Sequence, residues 1–414
     1  MKKKKGRYQH NDKKAAKREY MSYEDVPIKD YEDTEPIPKN LTKKFLKVFL
    51  ILFISVVALL ALLNIDYLTP ENISHWFEYD LLGKSEGDGY PVRFSGTNIS
   101  VNNFDIMDGV PVYCSDTSVV VLNSNAGEYQ NNQHAYANPV LKTNSNYSIV
   151  YNVNATGYKI INRDSVVHTG SVSNKIFEAD VSSNGVYAIL TQGEDYLSNL
   201  TVYRSDNLEK YTYNFADYYV NTVSISNDGT HAILSGVSAK YGGIISAIYI
   251  LDFTKNTYLQ KYEIDDTYIY GVCYLNNGNA IAVGEDSAYY INVADGKKTD
   301  ISYSSRTLTT YTLDRDYGLI LSLSQNPDGH ECDVMKINNN GEIDINFATG
   351  KKIISVDCCD NNVSVLSSST VDIYDDKGSI ISTHEVGSDA RKICFVNSKL
   401  LYILGKSQIS NLSI

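Results

Sequence analysis

Tryptophan is almost missing from this chain: Trp76 is the only one in 414 residues, and no tryptophan follows it. Cysteine is scarce too, and the six present (Cys114, Cys273, Cys332, Cys358, Cys359, Cys394) show no C-x-x-C or comparable spacing, so no metal site is expected. No P-loop or dinucleotide-binding glycine pattern precedes a helix, which removes the usual phosphate cradles. The G-x-S-x-G nucleophile elbow is absent as well. Positive charge is lacking in one part only. Met1 to Lys47 holds 14 Lys and Arg against 8 Asp and Glu, whereas the remainder holds 23 against 41. The acidic remainder should repel a phosphate backbone, so it is not expected to bind nucleic acid.

Long hydrophobic runs are rare, and there is one. Val48 to Ile65 is free of charge over 18 residues, and at about 1.5 Å per residue it covers about 27 Å, close to a bilayer's hydrocarbon core. With Phe45 and Leu46 it predicts a transmembrane helix over 45–65. A cleaved signal peptide would need a charged leader of more than forty residues and an A-x-A-like site after the run, neither of which fits. Lys39, Lys43, Lys44 and Lys47 precede the segment, and Asp66, Glu71, Glu78 and Asp80 follow it before Lys84. That asymmetry keeps the N-terminus inside and predicts a plasma-membrane, single-pass protein with its C-terminal part outside. Residues 1–44 then form a basic, disordered cytoplasmic tail, whose charge is accounted for by topology. Thr69-Pro70-Glu71 resembles a helix start, and Ile73, Trp76, Phe77 and Leu81 share one helical stripe. Residues 66–89 are therefore read as a juxtamembrane helix, Pro70 to Leu82, and a glycine linker, Gly83 to Gly89.

From Tyr90 to Ile414, short runs rich in Val, Ile and Tyr alternate with clusters of Asn, Asp, Gly and Ser. No competing helical stripe of useful length is present. Eight apolar runs, beginning at Pro111, Ser148, Tyr187, His231, Ala280, Gly318, Val363 and Leu401, recur at intervals of 37 to 49 residues. That is the period of four-stranded propeller blades. Hairpins with turn residues such as Asp295-Gly296 and Asn340-Gly341 follow in phase. The eighth repeat stops before a fourth strand, and Val92 to Val101, ahead of the first repeat's opening strand near Phe104 to Met107, is the expected donor. The fold class is thus all-β, an eight-bladed β-propeller over 90–414, with seven blades as the alternative, preceded by a single transmembrane helix. Five cysteines fall in apolar runs and read as buried free thiols. Cys332, in the polar stretch Asn326 to Asp333, is the exception.

Ser224-Ile-Ser-Asn-Asp-Gly-Thr-His-Ala-Ile-Leu234 resembles the S-x-D-G element of TolB-type, WD40-like blades, with weaker echoes at Ser182 to Gly185 and Asn276 to Gly278. The whole arrangement, including the stretch Leu68 to Asn72, resembles an uncharacterised family of membrane-anchored Gram-positive bacterial propeller proteins. That resemblance implies the fold and an envelope location but no activity. The signatures of familiar propeller chemistries are missing. The nearest sialidase-like box, Ser226-Asn-Asp228-Gly229-Thr230, has its glycine misplaced and no tryptophan, and quinone-type propellers dock their blades through tryptophans that are lacking here. The GH and WD dipeptides of true WD40 blades are missing. His330-Glu331-Cys332-Asp333 contains metal-ligand residue types, but neighbours on a strand point to alternate faces and do not converge on one ion. No catalytic, cofactor-binding or metal residue is assigned, and no cofactor is expected.

Asp265-Asp266-Thr-Tyr-Ile-Tyr270 falls where an outer strand passes to the next blade's inner strand, a usual position for propeller binding loops. The 34 tyrosines fit either half-exposed strand positions or an aromatic binding face. The leading function is a membrane-anchored, non-catalytic binding or scaffold module, held in the membrane by 45–65 and engaging an envelope protein or polymer. The alternative is an extracellular glycan-acting enzyme with carboxylates and arginines gathered around the propeller axis. A sensor is a third reading, weakened by the lack of an output domain in the tail.

Overall fold

The computed structural model describes residues 47–52, 55, 87–326 and 328–414. The chain divides between Asn72 and Ile73 into two units. In the first, residues 47–52 and Ser55 are helical, with Val48 to Leu52 all exposed and the Ser55 hydroxyl donating to the Ile51 carbonyl at 2.7 Å. Among the described residues no helix is long and apolar enough to cross a membrane. The remainder of the predicted 45–65 segment, the tail 1–44, the helix Pro70 to Leu82 with Trp76, and the linker before Gly87 lie outside the described residues.

The second unit contains eight antiparallel four-stranded sheets. The innermost strands of blades 1 to 8 are Ile99–Met107, Pro139–Asn144, Ile176–Val181, Tyr219–Ile225, Ile269–Tyr274, Thr307–Asp314, Ser355–Cys359 and Lys392–Asn397. Each of these touches the innermost strands of the two neighbouring blades, and blade 8 returns to blade 1, so the ring is closed. This is an eight-bladed β-propeller. The eight apolar runs of the sequence are the second strands of their blades, from Val110–Ser115 to Leu400–Leu404.

The physical reason for those continuous runs is that both faces of a blade are covered. Among the described residues there are eight apolar clusters, and each joins one blade to the next around the ring. A second strand such as Gly318–Ser324 is therefore buried at all seven positions, while an outer strand such as Ile380–Glu385 alternates or stays exposed. The cysteines follow this rule. All six are free and buried, and Cys332 is no exception: it opens the strand Cys332–Ile337 and packs between blades 6 and 7. Cys358 and Cys359, adjacent on one strand, point into opposite interfaces, blades 6–7 and blades 7–8.

Closure uses less chain than expected. Only Val92–Arg93 completes blade 8, pairing Val92 with Ile409 and Arg93 with Gln408, whereas Ile99 to Val101 belong to the inner strand of blade 1. Side chains make up for the short ladder. The Tyr90 hydroxyl donates to the Asn123 carbonyl at 2.9 Å, its ring lies 5.0 Å from that of Tyr402, and the Ser95 N–H donates to the Tyr113 hydroxyl at 2.9 Å.

The third-to-fourth-strand turns are built by side-chain caps. Asn338 accepts from the N–H groups of Asn340 and Glu342 at 3.0 Å each, and Gly341 turns the chain at a φ of 80°. A β-carbon at Gly341 would overlap the Tyr290 ring of the preceding blade, so glycine is needed there for conformation and for space.

Candidate functional site

Two regions gather polar and aromatic side chains: the central axis, and the face carrying the loops that lead from one blade into the next.

At the axis the inner strand of every blade is a sheet edge, with backbone groups that no fifth strand satisfies. Side chains of neighbouring blades supply the partners, and all eight joints are tied. Asn103 accepts from Leu141 N–H at 3.0 Å, and Asn144 donates to the Val181 carbonyl at 3.1 Å. Glu178 and Asp180 accept from the N–H groups of Val223 and Ile225 at 2.9 and 2.8 Å. Ser224 accepts from Tyr274 N–H at 3.1 Å, and Tyr311 donates to the Tyr270 carbonyl at 3.2 Å. Thr312 donates to the Val356 carbonyl at 2.7 Å, Asp357 accepts from Phe395 N–H at 2.7 Å, and Lys392 donates to the Phe104 carbonyl at 2.7 Å.

Two ion pairs complete the axis. Lys142 and Glu178 meet at 2.8 Å, with 43% of the Lys142 side chain still reaching solvent. Arg315, in the turn after the inner strand of blade 6, crosses to Asp180 of blade 3 at 2.7 Å and also donates to the Ile225 and Tyr274 carbonyls of blades 4 and 5. One guanidinium thus links four blades. Burial raises the carboxyl of Asp314 above its ordinary range and pushes that of Asp357 up to about 7. The thiols respond in the same way, Cys273 to about 12 and Cys394 further, so they are not activated nucleophiles. Carboxylates do gather at the axis, then, with a single arginine. Glu178, Asp180 and Asp357 each accept a backbone N–H of the next blade, while Asp314 accepts those of Asp316 and Tyr317 in its own turn at 2.7 and 2.8 Å.

The other region is the face formed by the outer-to-inner connections and the second-to-third-strand turns, which alternate strand directions place on the same side. In blade 4 the hairpin His231–Lys240 and Gly243–Asp252 has ten-residue strands, longer than its neighbours. Pairing with the inner strand ends at Val237, so Ser238 to Ile244 stand beyond the blade. At the tip Tyr241 is 99% exposed. The hairpin is braced against the predicted loop 265–270: Asp266 N–H donates to the Ile244 carbonyl at 2.8 Å, and Ser246 to the Thr267 carbonyl at 2.6 Å. Asn221 holds the Tyr268 hydroxyl at 2.7 Å, and the Tyr268 and Tyr270 rings meet edge to face at 5.5 Å. Ile269 pairs with Gly284, which sets the Glu285-Asp286 turn beside this loop, and the Tyr270 phenol is raised by burial and by Glu285, Tyr268 and Asp286.

Exposed tyrosines concentrate in this sector. Tyr196, Tyr219, Tyr241 and Tyr270 all lie on this face over blades 3 to 5, with exposed Ile244 in the same hairpin as Tyr241. On the opposite face, exposed Leu208, Tyr258 and Ile343 sit singly at the turns of separate blades, and the aliphatic pair Ile380 and Ile381 opens the outer strand of blade 7. Among the described residues most other tyrosines are core residues, with Tyr113, Tyr151, Tyr187, Tyr303 and Tyr402 fully enclosed. Next to the sector, Ser304, Ser305, Arg306, Gln325 and Asp333 line an open polar cleft of about 490 Å³, in which Arg306 pairs with Asp333 at 2.9 Å. Of the motif His330 to Asp333, Cys332 points inward and Asp333 to Arg306, so the four side chains do not converge. Among the described residues no group of three metal-ligating side chains converges.

A family model matches residues 89–414, which is the propeller together with its closing segment. The chain belongs to that family, described as a family of unknown function (DUF5711). No curated protein matches. Among solved structures, BamB from Moraxella catarrhalis is similar with a TM-score of 0.51 at 11% identity, over 78% of this chain and 96% of that one. The Cps50 (Swd1) β-propeller domain of Myceliophteria thermophila gives a TM-score of 0.48 at 12% identity, over 78% and 99%. At these identities the likeness concerns the fold alone.

Proposed function

We propose that this protein is a membrane-anchored, extracytoplasmic propeller that acts as a non-catalytic protein-binding module of the cell envelope, through the tyrosine-rich face of blades 3 to 5. One observation carries the reading. Large aromatic side chains are solvated together on one face, with Tyr241 raised on a hairpin that the blade does not need for its own core. Exposed aromatic anchors are the residue types that dominate protein interfaces. The axis supports the non-catalytic part, because its carboxylates are already engaged by backbone N–H groups and its arginine by Asp180. Anchoring rests on the uncharged run Val48 to Ile65, on the exposed apolar side chains of helical residues 48–52, and on the lysines before them.

The buried thiols make a clean test of topology. All six native cysteines are shielded, so a Lys377→Cys variant adds one reactive thiol in an exposed turn. A membrane-impermeant maleimide should label it on intact cells; labelling only after lysis contradicts the outward topology. For binding, partners recovered with the full chain from solubilised membranes should be lost in the Tyr241→Ser/Tyr270→Ser variant and retained in Leu208→Ser/Ile343→Ser. Equal recovery with both variants excludes this face.

A further inference from the structure

The charge around the exposed tyrosines is one-sided. On the same face over blades 3 to 6, Glu194, Asp195, Asp217, Asp265, Asp266, Glu285, Asp286, Asp328 and Glu331 are all exposed. Against them stand Lys240, at the hairpin tip, and Lys175, while Arg306 is neutralised by Asp333 and Lys351, at the end of blade 6's outer strand, by Asp372. The same face over the other blades is mixed, with Asp116 and Asp389 balanced by Lys352 and Lys406. The acidic turns flank the tyrosines directly: Glu194 and Asp195 precede Tyr196, Asp217 precedes Tyr218 and Tyr219, and Glu285 and Asp286 lie beside Tyr270. An aromatic ring offers its negative π-face to a cation, and a carboxylate beside it offers the ion pair. Lysine already uses this geometry within the protein: the Lys240 ammonium lies 5.8 Å from the Tyr241 ring centre, and Lys261 lies 4.7 Å from that of Tyr218.

We infer that the occupant of this face is a lysine- or arginine-rich polypeptide segment of a partner protein, its cationic side chains laid over Tyr219, Tyr241 and Tyr270 and paired with the flanking carboxylates. This rests on the binding-module reading and adds the partner's chemistry to it. A neutral apolar partner would leave the carboxylates desolvated without counter-charge, and an anionic polymer would be repelled. The overhanging hairpin suits an extended segment, since Ser238 to Lys240 extend beyond the pairing with the inner strand.

The test has two arms, both on the full chain. In detergent micelles, binding of a fluorescent deca-lysine peptide is followed by anisotropy, with deca-glutamate as control. Deca-lysine should bind, weaken steeply with added salt, and lose affinity by about tenfold or more in Asp265→Asn/Glu285→Gln/Asp286→Asn. The charge-matched control Glu342→Gln/Asp375→Asn/Asp376→Asn, in turns on the opposite face, should leave affinity unchanged. Equal loss in both triple and control variants, or no binding, overturns the inference. In intact cells, a photo-crosslinking residue replaces Tyr241 or Tyr270, and the adducts are sequenced. Partner peptides with net positive charge support the inference. Neutral or acidic peptides, or glycan adducts, overturn it while a binding role stands. Adducts to the basic tail Met1 to Lys47 of the same chain overturn the separate partner and the outward topology together. No adduct at either position, nor from a crosslinker at Leu208 or Ile343, overturns the binding module itself.

Discussion

Arg315 ties blade 6 to blades 3, 4 and 5 at the axis. Its guanidinium satisfies Asp180 and two carbonyls belonging to blades that lie far apart in sequence. Removing one member of a buried pair leaves the other charge uncompensated, so Arg315→Ala should lower unfolding free energy by about 3 kcal/mol in urea titrations. Asp180→Asn should cost less, because its amide oxygen still accepts the Ile225 N–H. Asp357 gives the fold a pH dependence of defined sign. Its carboxyl titrates at about 7 in the fold but at about 4 in the unfolded chain, so between those values the native state holds a proton that the unfolded state has lost. Stability from this group is full below about pH 4, declines as pH rises towards 7 and then levels off. Asp314 shifts the same way and Lys392 opposes it, so the useful quantity is the difference between wild type and Asp357→Asn. Urea midpoints at pH 5 and pH 8 should differ more in the wild type than in the variant; equal differences would show that Asp357 is ionised throughout.

At the scale of elements, the closing segment is the most exposed to test. Val92–Arg93 contributes a two-residue strand, yet Tyr90 and Ser95 fasten it to blades 8 and 1. Deleting residues 87–95 should uncover the Gln408–Ser413 edge, lower the melting temperature and produce concentration-dependent oligomers in size-exclusion chromatography. A monomer melting like the wild type would show that closure by this strand is dispensable. The long hairpin of blade 4 makes the opposite point. Shortening it from Ser238 to Ile244 should leave the melting temperature nearly unchanged, because those residues lie outside the apolar clusters.

For the whole molecule, stability is divided among eight interfaces rather than held in one centre, and each cluster couples two blades. A ring of this kind fails when any joint opens, which accounts for the polar ties at all eight joints around the axis.

Strand count, blade period and the donor of the missing strand were legible in the chain, because a β-blade covered on both sides must write its second strand as an unbroken apolar run, and eight such runs recur. The two-residue length of the closing strand was not read from Val92 to Val101, although Ser95-Gly96-Thr97-Asn98 are turn residues: the chain bends there, with Gly96 at a φ of 98°, and hands Ile99 to the inner strand of blade 1. Nor was the burial of Cys332, whose polar neighbours are turn residues while its own side chain enters the next interface. The loop Asp265 to Tyr270 could be placed between blades from sequence, but its company could not. Tyr219, Tyr241 and Tyr270 come from separate loops, and Arg315 and Asp180 stand 135 residues apart. Sequence periodicity reports what each residue does within its own blade. Which loops share a face, and which charges meet across the axis, depends on closing the ring, and only the tertiary structure decided it.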